Sequence, residues 1–226
     1  MKFEIIGKDD HIIKSMQDYE KFALPQGGEK QFKEDRSAWK FANYLVAGSD
    51  ELPKEIEEII KPYAKQDEKL KLYPEWVTSF GKGWGRGTGR HHDALLVGGN
   101  FVVGIEAKVD EPYGQKYLHK KDLEKTRYSR IANEILNGKT DNLDEIRYQL
   151  CSATLGTLME AKENAIAILL VIVFKSTAKK SKLEKNKKDF EAFINNLQKG
   201  DEQDEYKPKF AADKKVRFFV KKIIIE

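Results

Sequence analysis

Three ionisable residues, Asp93, Glu106 and Lys108, stand at a spacing that can bring them together. Between the two carboxylates lie apolar runs joined by Gly99-Asn100, a two-residue turn of the glycine-first kind that favours tight hairpins. With those residues as the turn, Gly98 faces Phe101 and Asp93 directly faces Glu106. Directly opposed side chains share one face of a sheet, with Cβ atoms roughly 5 Å apart. Lys108 lies two residues beyond Glu106 and so points to that same face. The strands are otherwise filled by Leu95, Leu96, Val102, Val103 and Ile105.

Two carboxylates this close repel each other, and in a half-buried site one of them is hard to ionise unless a cation intervenes. Mg²⁺ (or Mn²⁺) suits such a pair, because it takes oxygen ligands, uses one or two carboxylates and fills its shell with water and phosphate. The main-chain carbonyl of Ala107 offers a further oxygen. A metal so held neutralises charge on a phosphodiester and lowers the pKa of a bound water, with Lys108 placed to orient that water or contact the phosphate. A plain cross-strand salt bridge accounts for the same spacing without any metal. His91 and His92 beside Asp93 raise zinc, but alternation lets only His91 join the face of Asp93, and three well-placed zinc ligands are lacking.

The elements that must carry these residues follow from periodicity. Ser37 is placed to cap a helix through Ala38, Trp39, Phe41, Ala42, Tyr44 and Leu45, and Pro53 opens a second short one with Ile56, Ile59 and Ile60. These form a helical lead-in over about residues 30–62. Leu72, Tyr73, Trp76, Val77 and Phe80 read as a first strand, followed by a loop over 81–89 with glycine at every second position. The strands of the hairpin cover 90–98 and 101–110. Leu123, Ile131, Ile135 and Leu136 suggest a surface helix; Leu143, Ile146, Leu150, Ala153, Leu158 and Ala161 form a longer one leading into a buried strand at 165–174. Leu183, Phe190, Phe193, Ile194 and Leu197 mark another amphipathic helix. Residues 200–209 read as a charged, mobile connector, and 216–225 as an edge strand guarded by Lys221 and Lys222.

Composition bounds the whole. A chain of 226 residues, 40% hydrophobic, can bury one core, so one domain over residues 1–226 is expected. The longest apolar run, 165–174, is about half of the roughly 20 residues a membrane helix needs, which argues against a membrane. Cys151 is the single cysteine and the amino terminus MKFEIIGKDD shows no apolar h-region or small-residue cleavage site, so a reducing, cytoplasmic setting is expected. The 41 Lys and Arg nearly cancel the 37 Asp and Glu, leaving +4, which permits a phosphate-backbone partner without demanding one.

Asp93, twelve further residues and then Glu106-Ala107-Lys108 on a hairpin resemble the PD-(D/E)XK nuclease superfamily, with His92-Asp93 in place of Pro-Asp. More narrowly, Glu106-Ala107-Lys108-Val109-Asp110-Glu111-Pro112-Tyr113-Gly114 and Ile146-Arg147-Tyr148-Gln149-Leu150 resemble the signatures of an uncharacterised bacterial branch of that group, a family of unknown function. Gln31-Phe32-Lys33 with Arg36-Ser37-Ala38 resembles its amino-terminal motif, and the likeness runs from about residue 20 to 195. The resemblance implies an α/β, restriction-endonuclease-like core of αβββαβ order, with a mixed sheet flanked by helices, a metal site and nuclease chemistry. It places Arg147 and Gln149 at the start of a helix beside the hairpin, where Gln149 can reach substrate or metal-bound water, or simply bond neighbouring backbone. Arg147 can clamp a phosphate, or equally pair with Asp144 or Glu145. Glu34 is a candidate extra carboxylate, and Glu111, Pro112, Tyr113 and Gly114 serve the exit of the strand.

Lys82, Trp84 and Arg86 among the glycines, with Arg90, suit backbone contact and base stacking, although a plain flexible loop fits as well. The run Lys116, Lys120, Lys121, Lys125, Arg127 and Arg130 suits phosphate contact or a solvated helix face. The expectation is a Mg²⁺- or Mn²⁺-dependent phosphodiesterase acting on DNA, with Asp93, Glu106, Lys108 and Gln149 in the chemistry. Its alternative is a catalytically silent nuclease-fold module that binds nucleic acid or a protein partner. The oligomeric state stays open, a homodimer included.

Overall fold

The computed structural model describes every residue except 49, 82–88, 110–111, 117–121, 137–145 and 176–179, and only the backbone of 122–126 and 180–182. In chain order the elements are β1 (Phe3–Ile6), β2 (Ile12–Ile13), α1 (Met16–Phe22), α2 (Ser37–Val46), α3 (Lys54–Ile60), β3 (Leu70–Pro74), β4 (Val77–Thr78), β5 (Arg90–His91), β6 (Ala94–Val97) and β7 (Phe101–Lys108). They continue with α4 (Asp122–Ile135), α5 (Tyr148–Glu160), β8 (Ile166–Phe174), α6 (Lys180–Asn196), β9 (Glu205–Tyr206), α7 (Lys209–Asp213) and β10 (Arg217–Ile225). Among the described residues eight strands form one mixed sheet in the order β2-β1-β3-β6-β7-β8-β10-β9, and β4 pairs with β5 apart from it. The fold is α/β, as the sequence predicts. The expected succession of helix, three strands, helix and strand is present in α2–α3, β3, β6, β7, α5 and β8, with α4 as an additional helix. β6 runs antiparallel to both of its neighbours, β3 and β7, and β8 lies parallel beside β7.

Each face of the sheet carries its own apolar layer. One joins Leu95, Val102, Leu169 and Val171 to Tyr128, Ile131, Leu150, Leu155 and Phe193 under α4, α5 and α6. The other joins Leu72, Leu96, Val103, Ile105 and Leu170 to Tyr19, Phe41, Leu45, Ile56 and Ile60 of α1, α2 and α3. β8 reads as an unbroken apolar run because it is hydrogen-bonded on both sides and covered on both faces.

Several elements differ from their expected form. α2 starts at Ser37, with Arg36 as its cap and no side-chain capping bond, so Ser37 is the first helical residue. α4 is not a surface helix, since Tyr128, Ile131, Ala132, Ile135 and Leu136 are all buried. Residues 200–209 are not a loose connector: Glu205 and Tyr206 are buried in β9, and Glu205 Oε2 accepts the N–H groups of Asp201 and Glu202 at 3.1 and 3.0 Å. β10 is interior, not an edge, pairing with β8 along nine residues and with β9 on its other side. Its lysines are engaged, Lys221 with Asp204 at 2.9 Å and Lys222 over the Phe190 ring at 4.8 Å. β1 and β2, which periodicity does not mark, extend the sheet beyond β3.

The expected single strand through Phe80 breaks into β3 and β4. Pro74 supplies no backbone donor, and Glu75 takes a left-handed φ of 52°, a conformation unfavourable for any residue with a Cβ. The partner strand breaks opposite it, into β5 and β6. Pairing nevertheless continues through the kink, for Tyr73 faces Leu95, the Glu75 N–H donates to the Asp93 carbonyl at 3.0 Å, and Val77 faces His91. The candidate site lies at this bend.

Candidate metal and phosphodiester site

The β6–β7 hairpin has the predicted two-residue turn and register, with Val97 opposite Val102 and Ala94 opposite Ile105. The register changes at Asp93. Its N–H donates to the Ile105 carbonyl at 3.1 Å, so Asp93 and Ala94 both stand against Ile105 as a bulge. The bulge re-aims the Asp93 side chain, and Oδ2 accepts the Ala107 N–H at 2.6 Å. In an extended residue N–H and C=O point the same way, so the Ala107 carbonyl faces the side occupied by the Asp93 carboxylate. Asp93 therefore sits at the strand edge beside Glu106, not directly across from it as alternation alone predicts.

Glu106 is fully buried and projects toward α5. Its Oε2 accepts from Gln149 Nε2 at 2.9 Å, Lys108 Nζ lies 4.0 Å from the same oxygen, and the Arg90 guanidinium bonds Oε1. Gln149 thus reaches the site from the first turn of α5. Gly114, at φ +72°, lets it approach, because a Cβ there would stand 3.3 Å from the Gln149 Cβ. Arg147, the cap of α5, fixes that first turn: it donates to the Gly114 carbonyl at 2.9 Å, and its Nε lies 2.9 Å from Asp189 on α6. Arg147 is buried in this internal pair with Asp189, where the sequence offered a phosphate or Asp144 or Glu145, the last two of which lie outside the described residues. Arg90 likewise turns inward to Glu106 instead of outward to a nucleic acid. Lys82, Arg86, Lys120 and Lys121 lie outside the described residues.

The bend brings in two side chains that the sequence reading missed or misplaced. His92, not His91, shares the side of Glu106, its Nδ1 3.9 Å from Glu106 Oε1. Strand alternation fails there because the strand is interrupted between β5 and β6. The imidazole is buried in a slot made by two glycines, since a Cβ on Gly156 would lie 2.5 Å from Nε2 and one on Gly104 3.2 Å from Cε1. Neither ring nitrogen has a hydrogen-bond partner among the described residues. Glu75 is the extra carboxylate near the site; Glu34, proposed for that role, is exposed. The only signal for Glu75 in the sequence is Pro74 before it, which marks a strand end without assigning a role.

Burial pushes the Glu106 carboxyl up to about 7, with the Arg90 guanidinium opposing and the Asp93 charge adding. Burial, then the charges of Asp93 and Glu106, pushes Glu75 up to about 8. Burial holds His92 well below its ordinary value, so it is neutral. Two carboxyls that keep their protons in the folded chain but lose them above about pH 4.5 when unfolded give stability that is present at low pH and lost as pH rises. Denaturant midpoints of metal-free protein are therefore expected to fall between about pH 5 and about pH 8, and Glu75→Gln should flatten the upper part of that slope. A wild-type midpoint that rises with pH across this window would contradict the assignment.

Among the described residues no three His, Cys, Asp or Glu side chains lie, as placed, where they could hold a metal ion. The donors at hand, the Asp93 and Glu106 carboxylates and the Ala107 carbonyl, are all oxygen and fit a hard cation such as Mg²⁺ or Mn²⁺. They do not fit zinc: both His92 nitrogens are buried, Nε2 against Gly156, and Cys151 is buried in the apolar layer. No helix among the described residues is long and apolar enough to cross a membrane.

No curated protein matches the chain, and no solved structure matches it. One family model does, and it spans residues 12–225. The chain belongs to the family described as Domain of unknown function (DUF6946).

Proposed function

We propose that this chain is a Mg²⁺- or Mn²⁺-dependent phosphodiesterase acting on DNA in the cytoplasm, built on a PD-(D/E)XK-type, restriction-endonuclease-like core. The observation that carries the reading is Glu106, a carboxylate with no solvent exposure, set beside Asp93 and within 4.0 Å of Lys108 where two central strands end. Burying such a charge is unfavourable unless it is matched, so its place at a strand end with a second carboxylate and a lysine suggests chemistry more than architecture. The order β3-β6-β7-β8 with α5 packed on the hairpin supports the same reading.

A divalent cation held by Asp93, Glu106 and the Ala107 carbonyl would set positive charge against the phosphodiester and acidify a coordinated water. Lys108 brings a second cation to the same side, where it can meet charge developing on the phosphate or orient the attacking water. Gln149 fixes the Glu106 rotamer through its bond to Oε2. His92 fills the space behind Glu106 and keeps bulk water from that side, which strengthens the electrostatics in front of it. Arg130, exposed on α4, and Lys116 are candidate phosphate contacts outside the reacting centre.

A second reading, a silent nuclease-fold module that binds nucleic acid or a protein partner, is favoured by one observation: the Arg90 ion pair already matches the Glu106 charge. Thermal melting separates the two. A ligand that binds only the native state raises stability by RT ln(1 + [L]/Kd), about 2.7 kcal/mol at a hundredfold excess over Kd. Mn²⁺ should raise the melting temperature of the wild type by several degrees and leave Asp93→Asn unchanged. Identical melting of the wild type with Mn²⁺ and with chelator would remove the metal reading.

A further inference from the structure

We propose that Arg90 is an internal counter-ion which a divalent cation must displace from Glu106; this rests on the metal-site reading above. Arg90 lies on β5, outside the main sheet, yet its guanidinium reaches across the bend to bond Glu106 Oε1, with 14% of the Arg90 side chain exposed and none of Glu106. Its root is held by α5, where a Cβ on Gly156 would stand 3.2 Å from the Arg90 Cβ. The helix thus brings a fixed cation to a carboxylate that is wholly removed from water.

Among the described residues, three nitrogens around that carboxylate are buried without a hydrogen-bond partner: Arg90 Nε, His92 Nδ1 and His92 Nε2. Buried polar atoms are ordinarily satisfied. A site that leaves a guanidinium N–H and both nitrogens of a neutral imidazole, one donor and one acceptor, unmet beside an ion pair is not at its polar optimum with Arg90 in place. A guanidinium and a hard cation seek the same carboxylate oxygens, so the two compete for Glu106, and the bond to Arg90 must be given up when the ion binds. Arg90 is then a positioning residue with two states. Paired, it holds the Glu106 side chain in place within the apolar surround; released, it leaves the Glu106 oxygens to the ion.

The competition predicts an unusual sign. Removing a positive residue from the site should strengthen metal binding, because nothing then opposes the cation at Glu106. Titration calorimetry with Mn²⁺ alone, on the full chain, should show Arg90→Ala binding about tenfold more tightly than wild type, the order expected for one charge-assisted hydrogen bond. In chelator the same variant should melt below wild type, and the gap should close as Mn²⁺ is added. Arg90→Gln, which keeps a hydrogen-bond donor but no charge, serves where Arg90→Ala fails to melt cooperatively, and it should also bind more tightly than wild type. Mn²⁺ binding by wild type that neither folded variant strengthens would overturn this inference and leave the metal site standing. Absence of Mn²⁺ binding in wild type and variants alike would overturn the metal-site reading and the inference with it.

Discussion

Lys108→Ala is expected to lower the rate of DNA cleavage by about a hundredfold or more, the loss typical of removing one preorganised electrostatic contact to the transition state. Asp93→Ala should do at least as much. DNA affinity measured without metal should change little in either variant, because ground-state binding draws on phosphate contacts spread along the surface, whereas Lys108 and Asp93 act where charge develops during bond breaking. Single-turnover cleavage of single-stranded, duplex, nicked and branched DNA at low salt, with Mg²⁺ and with Mn²⁺, measures the first effect; filter binding in chelator measures the second. Among the described residues Lys108, 5% exposed, lies near the Glu106 carboxylate, which Arg90 also pairs, so its removal should leave the fold intact. Retention of full activity by folded Lys108→Ala would remove Lys108 from the chemistry. Affinity without cleavage on every substrate would favour the silent module.

The largest structural effect is expected at Asp189. Arg147 and Asp189 are both buried, so Asp189→Ala leaves a guanidinium in the interior with only the Gly114 carbonyl as hydrogen-bond acceptor among the described residues. Breaking a buried pair from one side costs about 3–5 kcal/mol, or roughly 10 °C in melting temperature for a chain of this size. Arg147 also anchors the turn of α5 that carries Gln149, so surviving activity should fall along with stability. Arg147→Met combined with Asp189→Leu should recover much of the stability and none of the anchoring, since an apolar pair satisfies the core but not the Gly114 carbonyl. A shift below about 2 °C for Asp189→Ala, by calorimetry, would show that the pair is better solvated than its burial implies.

Much of this arrangement could be read from the residues, and the failures share a cause. The hairpin was legible because Gly99-Asn100 fixes the loop length, and loop length fixes which residues face each other down to Ala94. β8 was legible because a strand covered on both faces has no polar side to confuse the pattern. Alternation stopped being informative at the bend, where Asp93 bulges, Glu75 takes a left-handed turn and the strand is interrupted beside His92. Each of those is a tertiary event with no periodic trace, and together they decide how the carboxylates meet. The same limit explains β10. Lys221 and Lys222 look like guards of an open edge, but they are long side chains that reach Asp204 and lie over Phe190 from an interior strand. β1 is only four residues long, and β2 two, too short for a period to appear.

The interior position of β10 bears on how the molecule assembles in time. β8 can pair with β7 once residue 174 is available, but its other edge stays open until 217–225 slide in alongside, in parallel, across a separation of about fifty residues. β9 docks onto β10 and so waits for the same event. Parallel pairing across such a loop is slow, because the closure entropy is spent before any contact repays it. During that interval the most apolar strand of the chain presents a bare edge, a template for pairing with another copy. Refolding yield should therefore fall steeply with protein concentration, with the loss set by the lifetime of that open edge more than by the stability of the finished sheet.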